Sequence, residues 1–336
     1  MKRLAIWILV LVLLVVGFAA FRIVLAQVSP YKGYEGSEQF VEIPQGSGPT
    51  SIGRRLADAG VIRDTLGYRF EILRSGAGRR LQAGEYRFDR PMTVSEVVAK
   101  IARGDVYLIP ITFREGLTIR EMAQLFESKG LGPATEFSTQ ASDAQLIRNV
   151  DPAAKNLEGY LFPDTYAMTR HTTAAQLVPR MVSGFQKALA PEIWSAAEAR
   201  GLSVRELVTL ASIVEKETGK PEERPLVAAV YTNRLKIGMA LQCDPTVIYA
   251  LERAHRYDGN LTRENLQFDS PYNTYRYPGL PPGPIANPGR ASLEAAARPA
   301  DVPYLYFVSR GDGSHAFAST LEEHNRNVNE FQRRRH

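Results

Sequence analysis

Hydrophobic and polar positions follow three regimes along this chain, and each predicts a different kind of element. From Leu4 to Phe21 the run is unbroken by any polar side chain, about long enough for a helix to cross a hydrocarbon core. Further on the pattern shortens. A strand-like run, Phe40 to Ile43, leads through Pro44 and Gly46 into an amphipathic helix ending near Gly60. The layout returns with Gly116 for Gly46, Met122 for Ile52, Ala123 for Gly53, Phe126 for Leu56 and Gly130 for Gly60. A partial third copy runs from Thr93 through Glu96, Val97 and Ile101. Such repetition predicts small strand, turn and helix units. From about residue 106 longer helical periods take over, at 176–200, 203–218, 222–236 and 290–298. Tyr304 to Ser309 reads as a buried strand before the turn Gly311, Asp312, Gly313. The fold class is α+β, with boundaries at 1–3 (cytoplasmic start), 4–25 (membrane helix), 26–39 (tether), 40–105 (small α/β module) and 106–336 (mixed α+β domain).

One of the helices carries candidate chemistry. Ser203 and Glu206 form an S-x-x-E capping box, and Gly219 with Pro221 supplies the stop. At roughly 100° per residue, Leu207, Leu210, Ala211 and Val214 share one face. Glu217 falls at its edge between Leu210 and Ile213, and Glu215 at the opposite edge near Val208 and Ala211. Periodicity favours Glu217 only slightly. An apolar setting would raise the pKa of either carboxyl, the state a general acid needs at neutral pH. Equally, both fit a solvated helix end.

Charge and cysteine content narrow the setting. Lys2 and Arg3 precede the apolar run, which favours a cytoplasmic N-terminus and an exported remainder; Arg22 weakens that asymmetry. A cleaved signal peptide is the competing reading, given small residues around Gly17 and Ala19. Cys243 is the sole cysteine, so neither an internal disulfide nor an N-terminal lipidated cysteine is available. A hydrophobic share of 44% is that of a folded protein. A net charge of +5 suits an anionic polymer or a membrane surface and is too dispersed to indicate nucleic acid. Arg333, Arg334 and Arg335 read as a solvated tail. The histidines lack metal spacing, with no H-E-x-x-H, and no nucleotide-binding glycine loop appears. No cofactor is expected.

Four stretches are more specific than folding requires: LEGYLFPDTY (157–166), ASIVEKET (211–218), LQCDPTVIY (241–249) and YNTYRYPGLPPGPIANPG (272–289). Prolines and glycines restrict the last loop, while Tyr272, Asn273, Tyr275 and Tyr277 offer flat faces and an amide. Sugar rings bind such surfaces. Asp244, ahead of Pro245, also reads as a helix N-cap.

Together these motifs closely resemble the MltG (YceG-like) family of endolytic murein transglycosylases, across essentially the whole chain. The short repeats resemble LysM-type modules, which bind N-acetylglucosamine sugars of wall glycans, although strand, glycine turn and helix is also a common unit. The resemblance implies a single-pass protein of the inner (plasma) membrane with its catalytic domain on the periplasmic side. It implies Glu217 as catalytic acid, and the helix around it is similar to that of lysozyme-like transglycosylases, with threonine in place of serine at position 218. The implied chemistry is cleavage of the MurNAc–GlcNAc bond within nascent peptidoglycan strands, leaving 1,6-anhydro ends. Gln242, Asn273 and Tyr275 are the candidate glycan contacts. Glu158 and Asp164 are candidates to line the cleft in structural or substrate-orienting roles, and Cys243 is expected to affect packing more than mechanism. Peptidoglycan is the implied partner, and penicillin-binding proteins are suggested with it. Two alternatives stay open: a non-catalytic glycan-binding scaffold and a hydrolytic muramidase.

Overall fold

The apolar run forms the core of helix α1 (Lys2–Val28). Ile6 to Leu25, with a mean hydropathy of 3.0, is long and apolar enough to cross a membrane. Its apolar side chains point outward on all sides, as a helix in lipid requires. The computed structural model describes residues 2–333, so Met1 and the end of the terminal arginine run, Arg334 and Arg335, lie outside the described residues. The chain divides into two compact units, residues 1–109 and 110–336.

In the first unit, α1 is followed by β1 (Gln39–Ile43), α2 (Pro49–Asp58), α3 (Thr65–Ser75), β2 (Gly84–Phe88) and α4 (Val94–Arg103). β1 and β2 pair antiparallel from Gln39 opposite Phe88 to Ile43 opposite Gly84. Val41, Ile43, Tyr86 and Phe88 turn inward onto Ile52, Leu56, Tyr68, Val97 and Ile101, following the two-residue period of the strands. Helix α4 is fixed by a capping box between Thr93 and Glu96 and closed by Gly104 in the left-handed conformation. The segment read as a tether is bonded along this unit: Tyr31 and Met92 exchange backbone hydrogen bonds, Gly33 N–H donates to Gly60, and the Tyr34 hydroxyl donates to Phe88. Arg22 and Gln27 tie the end of α1 to Asp64 and Gly67.

The second unit runs β3 (Ile109–Thr112), α5 (Ile119–Ser128), α6 (Ala134–Ser142), β4 (Thr165–Met168), α7 (Ala174–Ala188), α8 (Pro191–Glu198), α9 (Val204–Glu217), α10 (Arg224–Lys236), α11 (Asp244–Arg253), α12 (Arg290–Ala297), β5 (Tyr306–Ser309), β6 (His315–Ala318) and α13 (Leu321–Val328). β3 pairs with β4, and β5 with β6. The long helix expected at 176–200 is two helices, because Pro191 lacks an N–H and disfavours a helical Ala190, so the chain breaks after α7 and restarts at Pro191. Helix α9 is not a surface amphipath. Every residue from Leu207 to Val214 is buried, because α8, α10, α11 and α12 all pack around it. That placement carries the end of α9, with its two glutamates, out of the core.

The specific motifs are mostly cross-links between segments. The buried Asn287 side chain accepts from the backbone N–H groups of Gly159 and Leu161 at 2.9 Å each, and donates to Leu117 O and Glu158. Gly159 sits at φ +88 where a Cβ would come within 2.5 Å of Pro284, so only glycine lets the two loops meet. Ser212 Oγ accepts from Ile285 N–H. Thr274 accepts from Cys243 N–H at 3.0 Å and lies 2.9 Å from the Thr246 hydroxyl. The 272–289 loop is therefore held against α9 and the start of α11.

Candidate active site

The two glutamates of α9 have different surroundings. Glu215 is ion-paired with Arg224 at 3.2 Å, and its other oxygen accepts the Gly289 N–H at 2.9 Å. Both oxygens hold the fold together. Glu217, the last residue of α9, faces a cavity of about 270 Å³. Burial pushes its pKa above the ordinary carboxylate range, and Asp244 nearby adds to the rise. Hydrogen bonds from Tyr231 and Cys243 pull the other way without cancelling it. The Tyr231 hydroxyl donates to Glu217 Oε1 at 2.6 Å. Burial holds that phenol well above its usual range, so it stays a donor.

Five segments converge on the cavity besides α9. Helix α10 supplies Tyr231 and Arg234, three residues apart and so on one face. The Arg234 guanidinium is spent on Leu305 O at 2.7 Å and Leu241 O at 2.6 Å, tying β5 to the approach to α11. That approach brings Gln242 and Asp244, and the proline-rich loop brings Tyr275. Tyr275 donates to Asp244 Oδ1 at 2.6 Å. Phe307 on β5 meets the Tyr231 ring edge to face at 6.0 Å. From α13, His324 completes the wall; its ring stacks on Tyr306, and its buried Nδ1 has no hydrogen-bond partner among the described residues. Burial and Arg234 lower its pKa. Behind the acid, the Thr218 hydroxyl donates to Glu223, which also accepts the His315 backbone N–H and lies 2.6 Å from His315 Nδ1. This fixes the chain after Glu217 to β6.

Of the residues singled out in the sequence, Glu217, Gln242 and Tyr275 share this cavity. Gln242 is exposed and holds φ at +51, a strained conformation for a residue with a Cβ, of the kind found at functional sites. Asn273 does not face the cavity. It is fully buried, its amide donating to Leu266 O and Phe268 O while its oxygen accepts from Tyr275 N–H, so it shapes the loop from inside. Glu158 lines a second cavity and accepts from Ile119 N–H, Tyr249 and Asn287. Asp164 is an exposed residue beside β4. One reading needs correction. Asp244 is the first residue of α11, not its cap, which is Cys243; its carboxylate is free of capping and turns to the cavity. Cys243 is buried, and its thiol is among the groups that bear on the Glu217 carboxyl.

Tyr231, Arg234, Phe307 and His324 carry no sequence signal of their own. Tyr231 and Arg234 sit in an ordinary helix, and Phe307 in an ordinary strand; only the packing of α10, β5 and α13 around α9 brings them to Glu217. Among the described residues, no cluster of three or more His, Cys, Asp and Glu is arranged to hold a metal ion. A half-buried carboxyl of raised pKa beside a second carboxylate, with aromatic walls, is suited to acid–base work on a neutral, hydroxyl-rich substrate.

Comparison with known proteins gives one consistent family. A YceG-like family model matches residues 41–330. An "Endolytic murein transglycosylase" of Bacillus subtilis strain 168 is 32% identical over 85% of this chain and 82% of the relative. One of the same name from Streptococcus pneumoniae strain D39 is 30% identical over 94% of this chain, which spans 62% of that longer protein. The crystal structure of a yceG-like protein from Listeria monocytogenes, at 32% identity, covers 86% of this chain and 98% of its own with a TM-score of 0.59.

Proposed function

The chain belongs to the YceG-like family, and from that membership and the acid set in the cavity wall we propose that it is an endolytic murein transglycosylase working through Glu217. The observation that carries the assignment of Glu217 is the contrast on α9: Glu215 is consumed by Arg224 and Gly289, while Glu217 is half-buried, has its pKa raised by desolvation and is open to the cavity.

The chemistry follows from one proton being moved twice. Protonated Glu217 donates to the glycosidic oxygen as the bond from the muramic C1 breaks, leaving the carboxylate. The N-acetyl oxygen of that sugar stabilises the cationic C1 in place of an enzyme nucleophile. The C6 hydroxyl of the same sugar then attacks C1, its proton passes to Glu217, and the 1,6-anhydro ring closes with the acid restored. Tyr231 steadies the carboxylate between the two transfers. Asp244, held by Tyr275, orients a sugar hydroxyl or amide in the same cavity, and Gln242 and His324 contribute further polar contacts.

One observation favours a second reading. Asp244 is a second carboxylate in the cavity, as hydrolytic glycosidases use to activate water. Mass spectrometry of digested, uncross-linked glycan strands separates the two. Anhydro ends, one water lighter, support the transglycosylase; reducing ends support a muramidase; intact strands would leave a glycan-binding scaffold.

The apolar α1 serves as a single-pass anchor that places the catalytic unit on the far side of the membrane, near strands as they are made and near their synthases. The βααβ order of β1, α2, α3 and β2, closed by one antiparallel pair, supports reading residues 40–105 as a LysM-like glycan-binding module.

A further inference from the structure

A cavity of about 410 Å³ in the second unit is separate from the one that holds Glu217. It lies at the other end of α11. Asp244, the first residue of that helix, faces the Glu217 cavity, and Arg253, the last, faces this one. Nine residue steps separate them, about 14 Å along the axis. The same proline-rich loop walls both cavities, through Tyr275 in one and Tyr272 in the other. A polymer bound at Glu217 can therefore reach the second cavity with a neighbouring group.

The charges lining it do not cancel. Asp151 is neutralised by a two-pronged ion pair with Arg205, at 2.8 and 3.0 Å, and accepts the Tyr160 hydroxyl. Asp269 is turned to the Tyr277 hydroxyl and to Arg276. Glu158 is buried, and burial raises its pKa to about 7, so it contributes no full negative charge below neutral pH. That leaves Lys155 and Arg253, both exposed and neither ion-paired among the described residues. The Arg253 guanidinium lies over the Tyr272 ring at 5.2 Å, which steadies it without neutralising it. Around the two cations the wall mixes apolar groups, Phe268, Pro271 and Pro284, with polar ones such as Asn156 and Ser270.

Two cations in a tyrosine-walled cavity of mixed apolar and polar lining suit a carboxylate on a compact, weakly polar chain. In murein the muramic sugar at the cleavage point carries a short peptide rich in small residues and free carboxylates. We propose that this cavity docks the peptide stem of the bound strand, with Lys155 and Arg253 taking a stem carboxylate. The inference rests on the murein reading of the Glu217 cavity.

The test is made by binding, with the full-length Glu217→Gln chain in detergent so that no strand is cut. Its affinity is measured for uncross-linked glycan strands bearing peptide stems and for the same strands stripped by an amidase. Stem-bearing strands are expected to bind about 10-fold more tightly, the worth of one charge-assisted contact. Adding Lys155→Gln and Arg253→Gln together should bring the ratio to about one. Equal affinities in the parent chain would overturn the proposal, and so would a ratio that survives the two substitutions. Failure of the wild-type chain to cleave strands would instead sink the enzymatic reading, while the binding ratio would still decide the docking site.

Discussion

Desolvation in the cavity wall raises the pKa of Glu217, and that has consequences for activity and stability. Glu217→Gln keeps the shape and removes the proton, so cleavage should fall at least about a hundredfold, measured as new strand ends per unit time. The folded chain binds this proton more tightly than the unfolded chain does. Stability is therefore greatest below the ordinary carboxylate range and declines as pH rises toward the raised pKa. Denaturant titrations of Glu217→Gln should lose that part of the decline and match or exceed the wild type at neutral pH. Cys243 adjusts the same proton. Its thiol is a weak donor, and a hydroxyl in its place favours the ionised carboxylate more strongly. Cys243→Ser should thus move the alkaline fall in activity to lower pH; a fall that stays in place or moves up would remove Cys243 from the acid's environment. At this scale the sequence was partly legible. Periodicity barely separated Glu217 from Glu215, and family resemblance named the first. The Gly289 contact joins Glu215 to a distant residue, and the ion pair with Arg224 crosses the break between α9 and α10, so helical periodicity reveals neither. Asn273 misled because an amide amid tyrosines suits a sugar, yet it is consumed by its own loop.

The elements were more legible than their junctions. The capping boxes at Ser203 and Thr93 mark true helix starts, since each depends on residues three apart. The break at Pro191 was missed because apolar periodicity continues across it. The amphipathic reading of α9 failed for the opposite reason: the face with Ser212 and Thr209 looks polar, but it is buried, and Ser212 there accepts the Ile285 N–H. The motifs stood out because they stitch loops together, and Asn287 is the clearest case. Asn287→Ala would orphan the buried N–H groups of Gly159 and Leu161 and remove a donor from Glu158. It should cost about 3 kcal/mol of stability, read from denaturant unfolding, with activity lost alongside because the loop that carries Tyr275 loosens. A cost below about 1 kcal/mol would mean that the stitching is redundant.

For the whole molecule, composition excluded more than it specified. A single cysteine ruled out internal disulfides, and the apolar run announced α1, but no feature of overall charge pointed to the second cavity, whose cations come from distant segments. The division of labour between the units is open to test. Deleting residues 40–105 should weaken binding to long strands more than it slows the chemical step, seen as a raised KM with kcat nearly preserved; an unaltered affinity would count against the module as a glycan binder. The account as a whole depends on position 217 holding its proton near neutral pH. Carboxyl carbon NMR of the chain labelled at glutamate, with Glu217→Gln to assign the resonance, measures this directly. A signal that titrates well above the ordinary glutamate range is the predicted result, and one already ionised at pH 5 would contradict it.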